Sequence, residues 1–387
     1  NNLLGRDHAV NGPKLPIVTP PLPLGEDGVR VFCRKPMHPH PALSQGERVV
    51  KPHTPSPREL RTLRMASVPT TDRKSRSPRS NRRPFKLIGE LMNSSFARAA
   101  RAWKDRDLAG YQRLARLQTE LGADYLTLNI DGTQSMRVRP EEMFAFLPDL
   151  IPALQEATSV PLAFDNPSAE FHRRCLEVYD PAKSGRPILN SVAASRHHLD
   201  EMLELVLDYD TLVVGMASEK FVDGGSAQCL SADDVYGSAQ RLVAMLREKA
   251  GRCNDEIIID PGLAPVGADT YGLVNMGLDA MRRIRRDPDM EGVHLSVGLT
   301  NFSFGIPKAI RERVESAYLT LAVDAGLDFV LGNPEKELHL VDRDDRCLQV
   351  VAKALEAGRP VNGETQEESG FRQAATIIEL FDHHHGE

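Results

Sequence analysis

Eight short apolar runs recur between residues 85 and 332, and an amphipathic stretch follows each one. The runs are 85–91 (FKLIGEL), 125–130 (YLTLNI), 161–165 (PLAFD), 187–192 (PILNSV), 211–216 (TLVVGM), 256–260 (EIIID), 294–299 (HLSVGL) and 329–332 (FVLG). Apolar residues stand side by side in them rather than alternating with polar ones. That is the pattern of parallel strands covered on both faces. The stretches at 107–121, 140–156, 168–179, 197–208, 231–250, 270–286, 307–325 and 347–357 predict helices. Eight strand–helix units in about 300 residues predict an α/β fold, a (β/α)8 TIM barrel. A doubly wound open sheet is the competing architecture. No G-x-G-x-x-G follows the first run, which counts against a dinucleotide site.

Residues 1–84 have a different character. They hold 14 of the 27 prolines, 16 Lys+Arg and 6 Asp+Glu, a charge of +10, whereas residues 85–387 carry 32 bases and 48 acids, a charge of −16. Prolines every few positions stop helix and sheet from propagating, and apolar residues are sparse. The expectation is therefore a disordered Pro/Arg-rich extension over 1–84 and one domain over 85–387. The extension reads as a linker, as sequence upstream of a true start at Met65, as a basic docking tail, or as an organellar transit peptide.

The five cysteines (Cys33, Cys175, Cys229, Cys253 and Cys347) form no C-x-x-C pair. This argues against a zinc ribbon or disulfide framework and suits a reducing cytoplasm. No apolar run reaches the roughly 18 residues of a membrane span. The acidic body argues against nucleic acid as its partner. Residues 383–385 are three consecutive histidines on a tail, read as solvated, and no metal site is expected.

In a barrel of this kind the site lies at the C-terminal ends of the strands. Those ends carry Glu90 and Asn93, Asn129 and Asp131, Asp165 and Asn166, Asn190 and Ser191, Asp260, Thr300 and Asn301, and Asn333. They are amides and carboxylates, without a Ser-His-Asp or Cys-His set. Carboxylates accept from N–H groups, and an amide both donates and accepts. Such a set suits a flat heterocycle with several ring nitrogens.

The segments LIGELMNS, LTLNI, PLAFDNP, ILNSVA, IIIDPGL and VGLTNFSFGIP, in this order, resemble the pterin-binding superfamily. It includes dihydropteroate synthases and the methyltetrahydrofolate:corrinoid methyltransferases. The resemblance spans residues 85–355, and its strength lies in six motifs in order rather than in any one of them. The synthases carry a basic S-R-K type element after the seventh strand. Here residues 298–305 read GLTNFSFG with no Lys or Arg before Lys308, similar to the G-L-S-N-V-S element of the methyltransferases. The synthase loop N-x-T-P-D-S-F is replaced by Leu91-Met92-Asn93-Ser94, although Asp260-Pro261-Gly262 resembles the D-P-G of that branch.

The resemblance implies roles position by position. Asp165, Asn190 and Asp260 match residues that hold the pterin ring, with Asp260 facing the 2-amino and N3–H groups. Asn301 matches the catalytic asparagine, which hydrogen-bonds N5. Asn129, Asn93 and Glu90 are further pocket candidates. Helix capping is the competing role for Asp165, and a plain turn residue for Asn301. Many relatives have Asp where Thr127 stands, so a polar contact there is lost or remade by Asn129 or Asp131. Lys220 reads either as a contact for a folate tail or as a solvated loop lysine.

The implied activity is transfer of the N5-methyl group between methyltetrahydrofolate, or methyltetrahydromethanopterin, and a corrinoid. No D-x-H-x-x-G corrinoid element is found in the chain, so the corrinoid is expected on a partner protein. A homodimer is expected as well. The alternatives are dihydropteroate synthase and a pterin-binding protein without catalysis.

Overall fold

The apolar runs close on one another as a ring of eight parallel strands. A computed structural model describes residues 83–133, 136–195 and 198–382. Residues 1–82 of the basic arm and the histidines at 383–385 lie outside these. The barrel strands are β1 (Lys86–Asn93), β2 (Tyr125–Asn129), β3 (Leu162–Asp165), β4 (Ile188–Ala193), β5 (Leu212–Met216), β8 (Ile257–Asp260), β9 (His294–Gly298) and β10 (Phe329–Gly332). They are ordered β1-β2-β3-β4-β5-β8-β9-β10, and β10 pairs back onto β1. Two strands not anticipated from sequence, β6 (Glu219–Val222) and β7 (Gly225–Gln228), form a separate antiparallel hairpin after β5.

The eight anticipated helices are present as α2 (Leu108–Glu120), α3 (Pro140–Ala157), α4 (Ala169–Val178), α6 (Leu199–Asp208), α7 (Ala232–Ala250), α8 (Leu273–Arg286), α10 (Arg311–Asp324) and α11 (Arg346–Ala357). Local chemistry sets their starts. Asp107 caps α2 by accepting from the Gly110 N–H at 2.9 Å, and Asp345 caps α11 by accepting from Leu348 at 2.8 Å. Four further α-helices occur among the described residues: α1 (Ala97–Lys104), α5 (Pro181–Ser184), α9 (Leu299–Phe302) and α12 (Gln366–Asp382).

Alternation along the strands sorts their side chains into two cores. Outward residues join the helices in a main core that buries Trp103, Tyr111, Phe164, Phe171 and Tyr318. Inward residues form a second cluster, built on Ile88, Ala163, Ile188, Val214, Ile258 and Phe329. Two residues further along β1, β2, β3, β4 and β8 stand Glu90, Asn129, Asp165, Asn190 and Asp260. Asp165 pairs in register with Asn190, and Asp260 with Met216 at the end of β5. The barrel is therefore apolar below and polar above. β1 carries a bulge between Gly89 and Met92, where Gln118 of α2 accepts from the Leu91 N–H at 2.8 Å.

Thr127 is a polar group below those strand ends, on β2. Thr127 is 1 % exposed, and its hydroxyl has no hydrogen-bond partner among the described residues. A buried hydroxyl without a partner costs free energy that an isosteric methyl does not. Thr127→Val should therefore raise the unfolding free energy by about 1 kcal/mol in urea denaturation. A loss of stability would show that water inside the barrel uses the hydroxyl.

Candidate functional site

The upper barrel level is a hydrogen-bonded set of amides and carboxylates. The Asn129 amide donates to Asp131 Oδ2 at 3.1 Å and to Asp165 Oδ2 at 3.3 Å, while its Oδ1 accepts from the Asp131 N–H at 3.1 Å. Asn166 Nδ2 donates to Asp131 Oδ1 at 2.5 Å. Asn166 also caps the loop into α4, accepting from the Ser168 N–H at 2.9 Å, and its carbonyl meets Nε2 of buried His172 at 2.8 Å. Asn129 thus turns Asp165 toward the mouth. Capping at this helix falls to Ser168, which accepts from the Phe171 N–H at 3.3 Å, and not to Asp165.

Asp260 ends β8 across the same opening. Its Oδ1 accepts from the Gly262 N–H at 2.7 Å. Gly262 has φ +81°, and a Cβ there would lie 2.7 Å from the Ser218 Cβ, so this turn requires glycine. The carboxylate stays partly open to the barrel mouth while protein surrounds it. That burial drives its pKa up from 3.8 to about 7; the Gly262 N–H opposes the shift and the Asp165 charge adds to it. Asn190, partly exposed beside Asp165, makes no side-chain hydrogen bond among the described residues.

Asn301 lies on α9, a single short turn after β9. Leu299 and Phe302 bury the inner side of that turn, and Phe302 stacks on Tyr318 with centroids 4.3 Å apart. Asn301 is therefore presented outward and is exposed. A Cβ on Gly298 would sit 3.1 Å from Asn301 Nδ2, so glycine there leaves the amide its space.

The other candidates are already engaged. Glu90 is buried and accepts from the Thr300 hydroxyl at 2.5 Å. Burial raises its pKa, an effect the Thr300 bond partly offsets. Asn93 spends its Oδ1 on the Ser95 N–H at 2.9 Å, as a turn residue does. Lys220, on β6, pairs with Asp234 at 2.6 Å. A cavity of about 390 Å³ opens beside Pro261 and Gly262, under the hairpin, and Ser218, Gln228, Cys229 and Met276 help to line it. The sequence reading did not foresee it, because it depends on the hairpin. Among the described residues no group of three or more His, Cys, Asp or Glu is arranged to hold a metal, and no helix is long and apolar enough to cross a membrane.

Residues 91–331 match the family model described as pterin binding enzyme. The chain is 26 % identical over 288 residues to a methylcorrinoid:tetrahydrofolate methyltransferase of Eubacterium limosum, covering 70 % of this chain and 97 % of that protein. It is 24 % identical over 265 residues to a methionine synthase of Mycobacterium tuberculosis, covering 65 % of this chain but 20 % of that protein. Among solved structures, a 7,8-dihydropteroate synthase from Vibrio fischeri aligns with a TM-score of 0.49 at 14 % identity, over 70 % of this chain and 93 % of that one.

An unfolded Asp ionises near 3.8 and folded Asp260 near 7, so the folded state holds the proton more tightly. The cost of ionising Asp260 is absent below about pH 4, grows as pH rises, and is complete above about pH 7. Asp260→Asn keeps an acceptor for Gly262 and removes that cost. It should stabilise the fold by about 1 to 4 kcal/mol at pH 8 and leave it unchanged at pH 4, read as denaturation midpoints. Equal effects at both pH values would contradict the assignment.

Proposed function

Starting from a chain that belongs to the family of pterin-binding enzymes, we propose that it moves the N5-methyl group between methyltetrahydrofolate, or methyltetrahydromethanopterin, and a corrinoid carried by a partner protein. The observation that carries this reading is the exposed Asn301 amide beside a mouth of carboxylates and amides. No Lys or Arg stands between Gly298 and Pro307 to meet a diphosphate. The similarity to a methylcorrinoid:tetrahydrofolate methyltransferase along almost its whole length supports it.

In this reading Asp260, Asp165 and Asn190 hold the pterin ring. An ionised Asp260 accepts from the paired 2-amino and N3–H donors, a charge-assisted contact that fixes ring orientation. Asn129 keeps Asp165 turned toward the ring. The corrinoid, as second substrate, supplies a cob(I) nucleophile for the methyl group. The N5–carbon bond breaks, its methyl carbon bonds to cobalt using the cob(I) electron pair, and N5 ends with a proton taken from solvent in place of the methyl. Asn301 hydrogen-bonds N5 as positive character develops there, without setting a formal charge beside the methyl group. The reverse transfer uses the same contacts. A corrinoid protein and a second copy of this chain are the proposed partners.

The test mixes purified protein, methyltetrahydrofolate and cob(I)alamin and follows the cob(I) absorbance. Conversion to methylcobalamin is the expected outcome, and Asn301→Ala should slow it about 100-fold. An unchanged rate in that variant would remove Asn301 from the reaction. Release of diphosphate from a pterin diphosphate with p-aminobenzoate would favour the synthase reading instead. Pterin binding without turnover in either assay would favour a non-catalytic protein. Pterin affinity should also fall as pH drops through about 7, where Asp260 takes up its proton; calorimetric titration at pH 6 and pH 8 reads this directly.

A further inference from the structure

The turn that presents Asn301 is too short to hold itself. α9 spans four residues, and the chain on both sides of it is loop or strand end. Yet the hydroxyls flanking the exposed amide each donate to a buried carboxylate on a different element. Thr300 donates to Glu90 of β1 at 2.5 Å, and Ser303 donates to Glu315 of α10. Glu90 is 7 % exposed and Glu315 is 1 % exposed. Lys336, from the loop after β10, donates to both Glu315 oxygens at 2.5 and 2.7 Å. Its charge also reaches Glu90.

Burying two carboxylates is costly, and apolar residues of similar volume would fill the space at lower cost. What the carboxylates add is direction. A hydroxyl–carboxylate bond is short and charge-assisted, so it fixes the rotation of the backbone that bears it. The two bonds grip the turn immediately before and two residues after Asn301. We infer that Glu90 and Glu315 are positioning residues that hold Asn301 at the barrel mouth through Thr300 and Ser303. This rests on the role given to Asn301 above, and it moves Glu90 from ring contact to support of that asparagine.

The experiment uses the full chain with Thr300→Val, Thr300→Ser and Ser303→Ala, and reads two things. The first is hydrogen exchange in a peptide covering residues 299–306. Thr300→Val and Ser303→Ala should each speed it about tenfold or more, leaving β3 and β5 unchanged, and Thr300→Ser should restore the Thr300 loss. The second is methyl transfer to cob(I)alamin alongside calorimetric pterin binding. Thr300→Val should lower kcat about tenfold while changing pterin Kd less than about threefold. In an Asn301→Ala background it should lower the rate no further, because the tether acts through that amide. Unchanged exchange at 299–306 would overturn the inference. So would a rate loss equally large without Asn301, or a loss wholly in pterin affinity. If the wild-type chain transfers no methyl group, the proposed reaction falls, and the exchange arm alone decides whether the tethers hold the turn.

Discussion

Side chains that alternate inward along eight parallel strands share one narrow interior, and each level of that interior has a fixed neighbourhood. Below, Ile88, Ala163, Ile188, Val214 and Ile258 fill it and exclude water. Two residues on, the same strands reach the open end, where filling is no longer required and polar groups gain solvent or ligand partners. Glu90, Asn129, Asp165, Asn190 and Asp260 stand toward the C-terminal ends of their strands, a placement set by the strands and not by any local motif. The candidate site is thus the top layer of the core.

That origin explains the electrostatics. Carboxylates at the rim of an apolar barrel are poorly solvated, and four of them stand there: Asp131, Asp165, Asp260 and Glu90. Asn129 and Asn166 satisfy the first two with amide donors. Asp260 has the backbone N–H of Gly262, which offsets its burial only in part, so its proton affinity rises. A ligand bearing adjacent N–H donors would repay that cost, which ties affinity to the ionisation of a single group. The −16 charge of residues 85–387 agrees with a site built from acids and amides.

Much of this was legible in the sequence, and what was not has physical causes. The run Ile257–Ile259 could only be a strand covered on both faces, and its terminal Asp260 marked a strand end. The short helix α1 escaped notice because its buried face consists of Ala99, Ala102 and Trp103, a faint apolar stripe. α12 escaped because it buries Ser369, Gln373 and Thr376, so no apolar period shows. The hairpin of β6 and β7 is two four-residue strands around Asp223-Gly224, too short for alternation to register. At the site, the strand-end residues could be named from sequence, but their division of labour could not. Glu90 and Asn93 look alike as pocket candidates, but the structure bonds Glu90 to Thr300 of α9 and Asn93 to Ser95 of its own turn. Glu315 and Lys336 could not be read at all. They meet across 21 residues of helix, strand and loop, and no spacing rule links them.

We propose that the barrel mouth holds a pterin through Asp260, Asp165 and Asn190, with Asn301 at N5. A crystal structure of the chain with bound methyltetrahydrofolate tests it most directly. The 2-amino and N3–H groups should lie within hydrogen-bond distance of Asp260, with the N5 edge facing Asn301. A pterin bound elsewhere, or one turned so that N5 points away from α9, would contradict it.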